Sequence, residues 1–223
     1  MAVGGLISKR LVDVSTSPDR CATRCSKRLF DTAVCLALLP IIVPFAAVVA
    51  LGIRISSPGP IFYLGTRTGL NGRPFRIFKF RTMVVDAERK GGGTTALNDR
   101  RIFPFGRLLR RYKLDELPQL INVLRGEMSL VGPRPELPLY TDQYSDVEKQ
   151  ILGVRPGITD LSSVRFSSLD EIVGTHDADN VFEQTVLPEK NRLRLQYVRT
   201  QTFMGDIWII IMTGWCIVRK IFP

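Results

Sequence analysis

Residues 33–53, AVCLALLPIIVPFAAVVALGI, contain no charged side chain. As one helix, these 21 residues would extend roughly 32 Å, about the thickness of a bilayer core. A buried helix of a soluble protein normally carries a polar stripe, and none is visible here. A cleaved signal peptide does not fit either, because mostly polar residues precede the segment and no small-residue cleavage site follows. The segment therefore reads as inserted into a membrane. Pro40 and Pro44 lie inside it, each removing a helical hydrogen bond and bending the chain. Lys27 and Arg28 flank one end and Arg54, Arg67 and Arg73 follow the other, so cationic residues do not distinguish the two sides. A kinked span and a helix that enters, bends and returns both satisfy this pattern.

The remainder of the 223 residues suffices for one compact domain. Lys and Arg number 31 against 21 Asp and Glu, a formal charge of +10, which points to an anionic partner: nucleic acid, an anionic membrane surface or a phosphorylated substrate. Cys21, Cys25, Cys35 and Cys216 have no zinc-like or redox-like spacing, and His176 sits in a polar loop sequence, GTHDADN. A second apolar run near the C-terminus, FMGDIWIIIMTGWCIVRKIFP, is interrupted by Asp206 and carries Trp208, Trp215, Arg219 and Lys220. It fits an amphipathic helix lying in the membrane interface and equally a core helix of the domain.

Between the two apolar runs, Pro58, Gly59 and Pro60 mark a linker. A β-hairpin follows, with strands over residues 61–64 and 75–81 joined by an Asn71-Gly72 turn. On its second strand Ile77, Lys79 and Arg81 share one face, and Arg76, Phe78 and Phe80 the other. Basic residues interleaved with aromatics suit stacked bases, lipid headgroups, or an ordinary half-buried strand. Gly91, Gly92 and Gly93 are not followed by Gly-Lys-Ser/Thr, so they make no Walker A motif.

Asp115 and Glu116 adjoin Arg107, Arg110, Arg111 and Lys113. Proline is tolerated in the first turn of a helix, so Pro118 predicts a helix over residues 115–126. Both carboxylates then sit at a helix N-terminus, where the dipole and the nearby arginines hold them ionised. Successive helical side chains diverge by about 100°, which argues against a dyad sharing one proton. Two separately aimed carboxylates suit one group that attacks or binds a metal and another that binds metal or moves a proton. The plainer reading is an N-cap with an acidic first turn. Arg110, Arg134 and Arg155 can clamp phosphate oxygens, and Lys79 and Arg81 are further candidate phosphate or nucleotide contacts. Carboxylates beside cations suit a magnesium-bound diphosphate, since Mg²⁺ accepts one or two carboxylates plus substrate phosphates.

The order KRLFD, FKFRTM, LDELPQLINVLRGEMSLVGPRP and VRPGIT resembles the bacterial sugar transferases, monotopic polyprenyl-phosphate phosphoglycosyl transferases. The resemblance implies an α+β, mostly helical chain: a polar segment over residues 1–26, a re-entrant membrane helix over 27–56 kinked at Pro44 with Pro40 additional, and a catalytic domain over 57–223 with interfacial amphipathic helices. It further implies transfer of a phosphosugar from a nucleotide diphosphate sugar to polyprenyl phosphate at the cytoplasmic face of the bacterial inner membrane. In that reading Asp115 is the nucleophile, Glu116 its partner, Mg²⁺ the cofactor, Arg110 a phosphate contact, and Pro133-Arg134-Pro135 a turn lining the site. Membrane lipid is then a partner and nucleic acid is not expected. The absence of a large N-terminal membrane domain resembles the minimal form of the family. After RPGIT many members continue with Gly, an aromatic and Gln, whereas here DLSSVRF follows, which leaves the sugar open. Two other readings of the residues stand beside it: a basic membrane-anchored adaptor, and a metal-dependent phosphohydrolase whose acceptor is water.

Overall fold

The computed structural model describes residues 19–87, 95, 99–166, 169, 172 and 177–221. The expected glycine loop at 91–93, the loop histidine 176 and residues 1–18 lie outside them. Helix α1 (Asp19–Ser56) begins inside the stretch expected to precede the anchor and continues through Pro40 and Pro44. Among the described residues it is the one helix long and apolar enough to cross a membrane, over Cys25–Ser56.

Only a narrow seam of α1 packs against the rest of the protein. Asp31, Cys35, Val49 and Ile53 are buried, and Ile42 and Ala46 are partly buried against the same core. These positions recur along one helical face. The other faces expose Leu36, Ile41, Val43, Phe45, Val48, Leu51 and Ile55. No polar stripe announces this division, because the buried and exposed faces are both apolar.

Strands β1 (Phe62–Thr68) and β2 (Pro74–Phe80) form the expected hairpin, paired antiparallel from Phe62↔Phe80 to Thr68↔Pro74. Pairing continues to the turn, so β1 outruns the expected residues 61–64. Asn71 and Gly72 take φ of 55° and 76°, left-handed values that Asn and Gly tolerate best. Helix α2 (Pro104–Arg111) leads to a 3₁₀ turn (Leu114–Glu116) and then to α3 (Gln119–Arg125). Helix α3 lies along the open edge of β2. There the fully buried Asn122 accepts from the Phe78 N–H at 2.9 Å and donates to the Arg76 carbonyl at 2.8 Å. One side-chain amide thus takes the place of a third strand.

Helix α1 is a wall of two core clusters. Cys35 packs with Ile77, Leu120, Val123 and Met128, while Val49 and Ile53 pack with Phe80, Phe103 and Leu109. The strand aromatics are used in this packing. Phe80 is buried, Phe75 packs against the first cluster, and Phe78 lies under the Arg125 guanidinium at 4.8 Å. They present no row of free faces for stacked bases.

A second sheet was not legible in the sequence: β3 (Ser129–Val131) and β4 (Gly157–Thr159) run parallel. Their ends meet at Gly132 and Gly157, where a Cβ on Gly157 would stand 2.1 Å from the Gly132 nitrogen. Short helices α4 (Pro138–Thr141), α5 (Leu161–Arg165) and α6 (Ala178–Val181) follow in the chain. A π-helical turn, Phe182–Val186, joins α6 to α7 (Leu187–Thr200), and α8 (Phe203–Ile221) closes the described chain. The expectation of a core helix holds on one face of this last helix, and its other face is apolar and exposed. Ile209 and Asp206 are buried, with Asp206 paired to Lys27 and accepting from the Tyr197 hydroxyl at 2.8 Å. Met204, Trp208, Ile211 and Trp215 are exposed.

Arg81 is buried at the C-terminal end of α1 rather than offered to a phosphate. Its Nη1 donates to Ser57 Oγ at 2.9 Å and its Nη2 to the Ser57 carbonyl at 2.6 Å, while its Nε donates to the Pro60 carbonyl. It clamps the exit of the apolar helix to the hairpin. Replacing Arg81 with Met is expected to remove about 2–3 kcal/mol of stability, the scale of lost charged hydrogen bonds with buried acceptors left unpaired. A melting temperature of the detergent-solubilised variant equal to that of the parent would contradict this role.

Candidate active site

The path from α2 to α3 explains why two acids are buried side by side. Lys113 takes a left-handed conformation (φ 58°), which turns the chain sharply at the end of α2. In a 3₁₀ turn, residues three apart eclipse. Leu114 and Leu117 both pack on the second core cluster and anchor the turn from one side. Asp115 and Glu116, only 7% and 9% exposed, occupy the other positions. The expected single helix over 115–126 is therefore two pieces, with Pro118 as the N-cap of α3 and Gly126 ending it at φ 81°. The acids precede the helix instead of sitting on its first free N–H groups.

Three of the anticipated cations converge here. Lys79 Nζ from β2 stands 3.2 Å from Glu116 Oε1, and Arg134 Nη2 donates to the same oxygen. Arg134 Nη1 also donates to the Ile158 carbonyl at 2.7 Å, and its backbone N–H donates to Asp160 Oδ2 at 3.0 Å. Pro133 and Pro135 are buried on either side; their fixed φ holds the backbone while the Arg134 side chain projects to Glu116. Arg110 bonds Thr82 Oγ1 and Thr95 Oγ1, each at 2.8 Å, and its charge acts on Asp115.

Arg81 and Arg155 are not brought to this site. Arg81 closes α1, as described. Arg155 donates to the Gly126 carbonyl at 2.9 Å, beyond the far end of α3. There it lines a cavity of about 70 Å³ with Lys27, Arg28, Asp31 and Tyr197.

The two acids differ sharply. Burial alone would raise the Glu116 pKa, but the charges of Arg134 and Lys79 outweigh it and hold the carboxyl well below its ordinary range. Asp115 is pushed the other way, by burial first and by the Glu116 charge second, against Lys79, Arg110 and Lys113. The neighbouring cations favour the ionised form of both acids, as expected, but Glu116 takes the direct ion pairs, whereas at Asp115 burial and the Glu116 charge oppose them. Asp115 keeps a buried Oδ1 with no hydrogen-bond partner. An orphaned carboxylate oxygen in the interior is costly and marks a place where a cation or an electrophile would be bound.

Sequence reading missed Gln119, one turn after Asp115. It is fully buried, with neither side-chain polar atom partnered. Its position in LDELPQL was visible; its burial was not.

A divalent cation fits these residues only in part. Among the described residues no group of three or more His, Cys, Asp or Glu could hold a metal. Two carboxylates, one with an unpartnered oxygen, suit Mg²⁺ if the remaining oxygens come from water and a bound diphosphate. The arrangement brings together a carboxylate with an unpartnered oxygen, a second carboxylate in direct ion pairs, and cations from three elements, beside a helix with exposed apolar faces.

Comparison with known proteins agrees. Residues 22–220 match the family described as bacterial sugar transferase, and the chain belongs to that family. It is 34% identical over 206 residues to the UDP-glucose:undecaprenyl-phosphate glucose-1-phosphate transferase of Escherichia coli (strain K12), covering 91% of this chain and 42% of the relative. A protein of the same name from Caulobacter vibrioides is 34% identical over 197 residues, with 87% of this chain and 70% of the relative covered. An uncharacterized sugar transferase of Bacillus subtilis, EpsL, is 40% identical over 198 residues, covering 87% and 86%. The chain thus spans less than half the length of the Escherichia coli relative.

The geometry makes α2 a sensitive element. A Cβ on the buried Gly106 would stand 2.2 Å from the Thr82 carbonyl oxygen, and Thr82 Oγ1 is the partner of Arg110 Nε. Gly106→Ala is expected to push α2 off residue 82 and cost about 1–3 kcal/mol, as overpacking does. A denaturation midpoint at the parental value would show that α2 tolerates the shift.

Proposed function

We propose that the chain transfers a phosphosugar from a nucleotide diphosphate sugar to polyprenyl phosphate and releases the nucleoside monophosphate. The Asp115 carboxylate carries this reading: it is buried, has one oxygen without a partner, and adjoins a glutamate whose charge is already neutralised. The names of the Escherichia coli and Caulobacter relatives support a UDP-sugar as donor and undecaprenyl phosphate as acceptor.

In the proposed reaction an Asp115 oxygen attacks the phosphorus that bears the sugar. A P–O bond of the diphosphate breaks, and the nucleoside monophosphate leaves with that bridging oxygen. A polyprenyl phosphate oxygen then attacks the same phosphorus, forming the lipid diphosphate sugar and freeing Asp115. Two displacements through a covalent intermediate replace one difficult meeting of two large anions. Glu116, kept charged by Arg134 and Lys79, stays a carboxylate while Asp115 reacts, and Arg110 faces the transferring phosphoryl group. Mg²⁺, held by Asp115 and Glu116, would neutralise charge on the diphosphate. A basic adaptor without chemistry would have no use for a buried acid pair with an orphaned oxygen.

The acceptor lipid brings the membrane into the proposal. Both ends of α1 contact the same domain: Asp31 accepts from Ser129 Oγ at 2.6 Å near one end, and Ile53 and Ser57 meet Phe80 and Arg81 at the other. A helix sealed to one domain at both ends fits entry into and return from a single face, here the cytoplasmic face of the inner membrane. The exposed Trp208 and Trp215 of α8 fit an interfacial position beside it.

Purified protein in detergent is expected to release nucleoside monophosphate from its UDP-sugar only with Mg²⁺ and polyprenyl phosphate present. Asp115→Asn should lose essentially all turnover, and a phosphosugar adduct on Asp115 should appear by mass spectrometry after quenching with donor alone. Full activity of Asp115→Asn would end the proposal. For topology, single cysteines placed at residues 28 and 56 of a cysteine-free background should be labelled from the same side. Labelling from opposite sides would show a span.

A further inference from the structure

Arg194, in α7, has a side chain wholly removed from solvent. Its Nη2 donates to Glu136 Oε1 at 2.7 Å and its Nη1 to Asn191 Oδ1 at 3.2 Å. Its Nε stands 3.6 Å from Asp160 Oδ2 without a hydrogen bond. These two carboxylates bracket the turn that carries Arg134. Glu136 directly follows Pro135, and its carbonyl accepts from the Thr68 N–H at 3.1 Å. Asp160 Oδ2 accepts the backbone N–H of Arg134 itself.

A buried ion pair is a weak account of stability, because desolvation offsets most of the attraction. Placement explains this one better. The line runs from Arg194 through Asp160 to the Arg134 backbone, and from the Arg134 side chain to Glu116. Lys190 offers an internal contrast: it forms an ion pair with Glu136 at 3.5 Å and has none with Asp160 among the described pairs.

We infer that Arg194 is a positioning residue for the acid pair: by holding Asp160 and Glu136 it fixes the turn at residues 133–135 so that Arg134 meets Glu116. The inference rests on the reading of Asp115 and Glu116 as the reacting pair. Its reach is indirect, since Arg194 touches neither acid.

The test uses the full chain in detergent, with nucleoside monophosphate release at saturating donor and polyprenyl phosphate. Arg194→Gln is expected to lower kcat about 10–100-fold, the usual scale for a supporting residue behind a site, with little change in donor KM. It should also weaken binding of Mn²⁺ to the protein carrying a nucleoside diphosphate, read by electron paramagnetic resonance. Lys190→Met, which removes a direct ion pair from Glu136 and acts on Asp160 only through the longer-range field of its charge, should stay within a few-fold of the parent in both measurements. Because Arg194 acts in part through Asp160, the Asp160→Asn, Arg194→Gln double variant should fall well short of the product of the two single effects. Multiplying effects, or equal losses in Arg194→Gln and Lys190→Met that follow their melting temperatures, would overturn the inference and leave Arg194 a packing residue. If Arg194→Gln does not fold, Arg194→Lys carries the test: it keeps the charge but spans one carboxylate at a time, so kcat should fall while the melting temperature holds, and parental kcat would overturn the inference. A parent protein that releases no nucleotide would sink the proposed function itself, a distinct result from an active parent with an equally active Arg194→Gln.

Discussion

Glu116 is more than nine-tenths out of water and still carries its charge, because Lys79 and Arg134 reach one of its oxygens from separate parts of the fold. The ordering of the site follows from this contact. Once Glu116 is satisfied, its neighbour forms no ion pair among the described residues and keeps an unpartnered oxygen. Two adjacent identical environments would have produced two equivalent acids. The hairpin supplies one cation, the loop after β3 supplies the other, and the asymmetry between the acids is the product.

That asymmetry connects the chemistry to the core. The 3₁₀ turn holding the acids is anchored by Leu114 and Leu117 on the same cluster as Val49 and Ile53 of α1. The acids therefore stand a fixed distance from the apolar helix. In the proposed reaction a lipid-borne phosphate arriving beside α1 would meet a carboxylate whose position was set by the packing of that helix. The apolar helix and the acid pair share one hydrophobic cluster.

Much of this was legible in the sequence. The charge-free run, the Asn71-Gly72 turn, and the acids among arginines were all visible as local patterns, and the family resemblance joined them. What was not legible depends on distant contacts. The seam of α1 has no signature because both of its faces are apolar. The parallel pair β3–β4 is three residues per strand, too short to leave an alternation. Arg81, Arg155 and Arg194 are indistinguishable in sequence from the cations beside the acid pair, yet Arg81 and Arg155 bond carbonyls at the ends of α1 and α3 and Arg194 lies in the interior. A charge on a helix reads as a solvated face, and only the carboxylates at Glu136 and Asp160 reveal otherwise. The helix expected at residue 115 began four residues later because Leu114 and Leu117 called for a tighter turn.

The seam of α1 has one more consequence. Cys35, Val49 and Ile53 are walls of the interior, so deleting the apolar segment would strip Ile77, Val123, Phe80 and Leu109 of a neighbour. A shortened version of this protein lacking the helix would be opened along its centre. The apolar helix and the folded state are in this chain a single property, and neither can be engineered away without the other.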